Sequence, residues 1–372
     1  MQIDITKLQM VAYVGAGNRT PVVDISGAIP REDLLLSAAQ VRQMLESHKA
    51  FRLWLEKEGK KLRADTVMIY YPAVNQEYDF VTFVGEPNAG LCAPFSDMCG
   101  NGIRCLGLHL LLSETRKRVR KQYEQYGIKV MAGDTKKIRF AEFNRAAQTA
   151  DVAVDMGTFQ SDIHHLTPYV HLWDRTPGAL NSVTLPDAFV PAFLQGKVCG
   201  IGFNGGTEGE PHLVFLYKKE AFLDLAKKYH FSNIDSEASL HRAVRQIVCE
   251  IGSNLTFNLS LFPKGINVNL GVVVNKVIYM ATHERNLLPS RTLCLAQQRD
   301  RIFCQCNTMA CGTGGAVLAN IAKLQGFTED NVIQTAHPGG TIKYYIQDTT
   351  IMIGPAAKLS GYRCLNKVSE VQ

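Results

Sequence analysis

Asp97-Met98-Cys99-Gly100-Asn101-Gly102-Ile103-Arg104-Cys105 runs directly into the apolar stretch Leu106-Gly107-Leu108-His109-Leu110-Leu111-Leu112. Glycines right after a thiol let the backbone turn tightly, so that several N–H groups point at one spot. The apolar run predicts a helix buried on most sides, with Cys99 at its N-terminus. A helix N-terminus offers unpaired N–H donors and partial positive charge. It suits a carboxylate, and it favours the thiolate of a cysteine placed there. Taken alone, the stretch also reads as a glycine-rich turn before a core helix with a structural cysteine.

The chain repeats the pattern. Ala310-Cys311-Gly312-Thr313-Gly314-Gly315 is again Cys-Gly-(Asn/Thr)-Gly, followed by Ala316-Val317-Leu318-Ala319-Asn320-Ile321-Ala322. Two such elements far apart in one chain predict two similar halves facing one small site, lined by two thiols and two sets of backbone donors. Such a site fits proton transfer at the α-carbon of an amino acid. One thiolate removes the proton, the opposite thiol returns one to the other face, and the helix ends hold the carboxylate. That scheme calls for no cofactor and no metal.

The two cysteine motifs resemble the paired signatures of the diaminopimelate epimerases, a family of cofactor-independent amino-acid epimerases. The resemblance implies an α/β (α+β) fold of two pseudo-symmetric domains, each a curved sheet or barrel around a central helix. The expected division is residues 1–149 with Cys99, completed by the C-terminal strand 356–372, and residues 150–355 with Cys311.

The resemblance covers about residues 7 to 361 and implies a set of roles. Cys99 and Cys311 are acid and base, and Gly100, Asn101, Gly312 and Thr313 hold the reacting carboxylate through backbone N–H groups. Asn18, in the turn Gly15-Ala16-Gly17-Asn18, orients the substrate amine; as a plain turn residue it would suit a left-handed conformation. Thr66 stands where many members place a polar residue near the amine. Gly209-Glu210-Pro211-His212 resembles a Gly-Asn-Pro-His segment, so Glu210 replaces an amide that faces the substrate. A carboxylate only accepts hydrogen bonds and favours a cationic group, unless it points to solvent. His212 is expected behind the site, or as a core histidine bonded to backbone. Phe262-Pro263-Lys264-Gly265-Ile266-Asn267-Val268-Asn269 puts Asn267 on the substrate. Thr282-His283-Glu284-Arg285 puts Glu284 and Arg285 at its far end, where an arginine grips a carboxylate in bidentate fashion; as a surface residue Arg285 would make an ion pair.

The chain departs from the family in several places. Phe83-Val84-Gly85 lacks the usual asparagine, with Asn88 the nearest substitute. Residues 163–197 and 286–309 read as insertions. Without the second insertion Ile302-Phe303 would fall at the Glu-Arg place, which is chemically useless there. The far-end set ranks diaminopimelate first as substrate, and these departures favour the second reading, another amino acid such as histidine or a basic one, with proline third; a relative that binds without turnover is the alternative from another class.

The 372 residues allow two domains, and no apolar run approaches the roughly 20 residues of a membrane span. Met1 to Lys7 alternates like a strand rather than a signal peptide. Ten cysteines without framework spacing fit a reducing cytoplasm, and a net charge of +6 is mild. Cys304-Gln305-Cys306 has no matching pair for zinc. The basic run Arg116 to Lys121 reads as a solvated helix end rather than a nucleic-acid surface. The expected partner is a small-molecule amino acid, with neither nucleic acid nor membrane, and a homodimer is the assembly considered.

Overall fold

The computed structural model describes residues 3–74, 77–88, 95–96, 98–113, 127–132, 134–162, 198–204, 212–255, 266–284 and 308–359. Their seventeen strands join in one hydrogen-bonded system. Within it, one connectivity occurs twice. The first series is β4 (Val22–Asp24), β5 (Val67–Pro72), β6 (Phe80–Gly85), β7 (Ile128–Ala132), β8 (Asp134–Asn144) and β9 (Thr149–Asp155). Neighbours pair in the order parallel, antiparallel, parallel, antiparallel, antiparallel. The second series is β12 (His212–Lys218), β13 (Asn267–Val274), β14 (Val277–His283), β15 (Val332–His337), β16 (Gly340–Ile346) and β17 (Thr350–Lys358). It pairs in the same order. The pseudo-symmetric two-half fold expected from the paired motifs is therefore present.

Parallel neighbours cannot be joined by a tight turn, so each parallel pair needs a crossover. Between β4 and β5 run the helices Ala38–Ser47 and Lys49–Lys61; between β12 and β13 run Lys219–Lys228 and Glu237–Leu255. The other two crossovers hold the central helices, Gly100–Leu112 and Gly312–Leu324. The first touches β2 (Tyr13–Gly15), β4, β5, β8, β9 and β17, and the second touches every strand from β10 (Phe159–Asp162) through β11 (Val198–Asn204) to β17. Strands β5 and β12 are buried nearly end to end, as strands covered on both faces must be. The outer helix pairs build two peripheral cores, around Phe51 and Leu55 in one half and around Phe222 and Ile247 in the other. A third core runs through both halves and includes Ile103 and Leu106 with Val317 and Leu318.

The halves meet along β17. It pairs antiparallel with β9 from Ile351 opposite Asp155 to Ala357 opposite Thr149. Beyond the end of β16 its other edge takes β2, with Ala357 opposite Val14. Pro355 falls between these two partners, where a missing N–H breaks no ladder.

Local chemistry accounts for the turns. Asn275 and Lys276 both take positive φ between β13 and β14, the form that matches strand twist in a two-residue hairpin. Ala16 and Gly17 take the left-handed positions between β2 and β3 (Asn18–Arg19), rather than Asn18. The alternation at the N-terminus does not become a strand: Ile5–Lys7 is a 3-10 turn, because the Asp4 carboxylate accepts the Thr6 N–H at 3.2 Å. The proposed insertion 163–197, most of 286–309, the Cys304–Cys306 segment and the basic run at 116–121 lie outside the described residues.

The turn between β15 and β16 presses on the turn after β2: a Cβ on Gly17 would stand 2.6 Å from the Gly339 Cα. His337, just before it, is buried and bonds through Nε2 to the Thr335 hydroxyl at 2.8 Å. Burial first, and then the Arg104 charge, hold its imidazole down to about 3. A histidine kept neutral in the fold but free to protonate when unfolded gives stability that is complete above its ordinary value near 6.5 and lost as pH falls toward 3. Between pH 6 and 4, the unfolding free energy should fall more steeply for the native chain than for His337→Gln, by up to about 1.4 kcal/mol per pH unit. Denaturant melts across that range measure it, and parallel slopes would refute it.

Candidate active site

Each cysteine is the N-cap of a central helix. The Gly102 N–H donates to the Cys99 Sγ at 3.4 Å, and the Gly314 N–H donates to the Cys311 Sγ at 3.4 Å. The backbone completes each cap, with Ile103 N–H donating to the Cys99 carbonyl and Gly315 N–H to that of Cys311. A thiolate at such a cap keeps both the hydrogen bond and the favourable end of the helix dipole. Neither is in a disulfide; Cys99 is half-buried and Cys311 buried.

The two caps face each other at close range. A Cβ on Gly100 would stand 3.3 Å from the Gly312 Cα, and the converse distance is also 3.3 Å. The Met352 side chain from β17 fills the space beside both glycines. A side chain at either position would press on Met352 and on the opposite glycine, both closer than ordinary van der Waals contact.

Side chains lock this arrangement across the halves. The Ala310 carbonyl accepts from Asn18 Nδ2 at 2.6 Å and from Asn101 Nδ2 at 2.7 Å. Asn18 Nδ2 also donates to the Thr308 hydroxyl at 2.7 Å, and Asn18 Oδ1 accepts the Met309 N–H at 3.0 Å. Asn18 thus spends both donors holding the approach to Cys311, and one Oδ1 lone pair remains for another partner.

The environments of the two thiols differ. Beside Cys99, the Thr66 hydroxyl lies 3.7 Å from Sγ and 3.3 Å from the Thr20 hydroxyl. Beside Cys311 a longer chain runs inward. Asn269 Nδ2 donates to the Leu213 carbonyl at 3.3 Å, which fixes its amide, and it faces His212 Nδ1 at 3.0 Å. Asn269 Oδ1 accepts from the Thr282 hydroxyl at 2.8 Å. Nδ1 is therefore the acceptor, and the proton of a neutral imidazole sits on Nε2. That proton is donated to Thr313 Oγ1 at 3.1 Å, leaving the Thr313 hydroxyl to donate to Cys311 Sγ at 3.4 Å. All donors in the chain point toward one sulfur.

Of the residues expected at the site, the structure brings together Cys99, Cys311, Thr66, Gly100, Asn101, Gly312, Thr313, His212 and Asn18. Asn267 is buried directly opposite His212 at the start of adjacent parallel strands. Glu284, half-buried, follows the last residue of β14. Glu210 and Arg285 lie outside the described residues. Asn88 turns elsewhere, its amide donating to the Ala64 carbonyl at 3.3 Å. Asn269 and Thr20 escaped the sequence reading. For Asn269 a signal existed, since in Asn267-Val268-Asn269 the two amides share one face of a strand. Among the described residues no cluster of His, Cys, Asp and Glu has the makings of a metal site, and no helix is long and apolar enough to cross a membrane.

No family model matches the chain. It is similar to a diaminopimelate epimerase from Methanocella arvoryzae, with 28% identity over 174 residues, 46% of this chain and 47% of that protein. The match thus spans about half the length of that relative. Among solved structures, a hydroxyproline epimerase from Agrobacterium vitis with bound trans-4-hydroxy-L-proline aligns at TM-score 0.53 and 12% identity, covering 95% of this chain and 89% of that one. At that identity the likeness shows the fold, which agrees with the two-half architecture above.

If the Thr313 hydroxyl supports the Cys311 thiolate, Thr313→Val should slow alkylation of Cys311 at neutral pH by about fivefold, the worth of one hydrogen bond of about 1 kcal/mol. Cys99 should react as before. Peptide mapping after timed iodoacetamide treatment reads both, and equal slowing of the two thiols would refute the assignment.

Proposed function

We propose that the chain is a cofactor-independent amino-acid epimerase that carries an α-proton from one face of its substrate to the other on two thiols, with diaminopimelate, LL to meso, as the substrate. One observation carries the reading: two thiol-capped helix N-termini in backbone contact, neither sulfur held in a disulfide. A structural role would not require a thiol at both caps, because serine, threonine or aspartate cap better.

In this scheme the substrate carboxylate takes the N–H groups of Gly100, Asn101, Gly312 and Thr313, where donors and both helix dipoles converge. Negative charge that spreads from the α-carbon into that carboxylate meets groups already in place. Cys311, supported by Thr313 and His212, starts as the base, and Cys99, beside Thr66, supplies the proton on the opposite face. In the reverse direction the roles exchange. Asn267, Glu284 and Arg285 take the second amino-acid head, and Glu210 orients the reacting amine. Supporting diaminopimelate are the similarity to the Methanocella arvoryzae enzyme and the Gly-x-Pro-His and Phe-Pro-x-Gly-x-Asn-Val-Asn segments.

The test is α-proton washout in D2O, followed by proton NMR with reductant present, on LL-diaminopimelate, histidine, lysine, arginine, glutamate and proline. Exchange with LL-diaminopimelate is expected. Cys99→Ala and Cys311→Ala should each lower net epimerisation by about 10²–10⁴-fold, the usual worth of a positioned acid or base. Exchange with another member alone would reassign the substrate and make Glu210 a specificity element. Unchanged rates in both variants would end the two-thiol reading.

A further inference from the structure

Arg104 lies one and a half turns into the first central helix and is fully buried, the largest side chain so enclosed. One of its terminal nitrogens donates to Asn101 Oδ1. Its Nε and remaining terminal nitrogen have no hydrogen-bond partner among the described residues, and no ion pair there includes it. Space for it is cut into β17: a Cβ on Gly354 would overlap the guanidinium. The pseudo-symmetric position in the second helix, five residues after Cys311, is Ala316, buried in the apolar core. The fold therefore does not demand a cation here.

A buried unpaired charge costs several kcal/mol, and a guanidinium does not escape the cost by losing its proton at physiological pH. The ionisable groups facing it are Cys99 and Cys105 on its own helix, Tyr344 on β16, Asp151 on β9 and His337 on β15. Burial keeps Tyr344 and Cys105 protonated, Cys105 up at about 12, and His337 neutral. Asp151, half-buried, makes no ion pair with it. What the charge can act on is the anion formed at the paired caps. The link is short: Arg104 holds Asn101 Oδ1, which turns the Asn101 amide N–H onto the Ala310 carbonyl, one residue before Cys311.

We propose that Arg104 is the buried counter-charge of the two-thiol site, a positioning residue that favours the thiolates electrostatically and sets the Asn101 amide that holds the Cys311 cap. The inference rests on the epimerase reading for its purpose, but its test does not.

The experiment compares Arg104→Lys with Arg104→Gln. Both lose the forked guanidinium and keep a donor for Asn101; they differ in charge. Iodoacetamide labelling from pH 5 to 10, read by peptide mass mapping, gives the midpoint for each thiol. The Lys variant should hold the Cys99 and Cys311 midpoints within about half a unit of the native chain. The Gln variant should raise them by about one unit, a tenfold loss of labelling rate at fixed acidic pH. Cys249, on an outer helix, should not move in either. Where Gln does not fold, Arg104→Met, apolar and of similar volume, replaces it with the same expectation. Equal midpoints in the charged and neutral variants would overturn the proposal. D2O exchange on the native chain tests the epimerase reading separately: its absence would leave the labelling comparison valid.

Discussion

Two polypeptide backbones touch at Gly100 and Gly312, and the rest of the molecule is arranged so that they can. The contact favours a residue without a side chain at the same place in two helices 212 residues apart in sequence. It also requires both helices to point their N-termini at one spot. Like ends of helix dipoles repel, so the approach is costly with the site empty and favourable once an anion lies between them. The thiol caps, the amides on the Ala310 carbonyl and the Met352 plug all maintain a geometry that the dipoles alone would not hold.

The duplication explains how one chain meets that requirement. Each half wraps strands round an apolar helix, and the two halves share β17, which lies against both central helices. The symmetry is broken where chemistry needs it broken. Thr66 and Thr20 stand beside one sulfur, a threonine–imidazole–amide chain beside the other, and a cation beneath one helix has only an alanine as its counterpart. A symmetric scaffold thus supports two thiols that are not equivalent before substrate arrives.

Much of this was legible in the sequence. Cys-Gly-(Asn/Thr)-Gly before an apolar run specifies a capped buried helix through rules that act within one turn, and its recurrence implied the two halves. Local chemistry of the same kind makes the hairpin at Asn275-Lys276, where both turn residues take positive φ. The short N-terminal alternation misled, because one aspartate side chain capturing Thr6 outweighs a weak strand preference. What could not be read was anything that depends on register between distant strands. Asn18 has the composition of a ligand-binding turn residue, yet its amide is occupied by Thr308, Met309 and Ala310, nearly 300 positions away. Arg104 sat in plain view within the motif, but only the enclosing strands make it a buried charge.

The shared strand also dictates the order of assembly. β9 closes the first half only when β17 arrives beside it, and β17 is made some 200 residues later. Until β17 is in place the first central helix lacks one of the strands it packs against. Each half therefore completes its strand set only with β17, which the two hold in common. The strand that joins the two halves thus makes completion of the first half depend on a strand from the second.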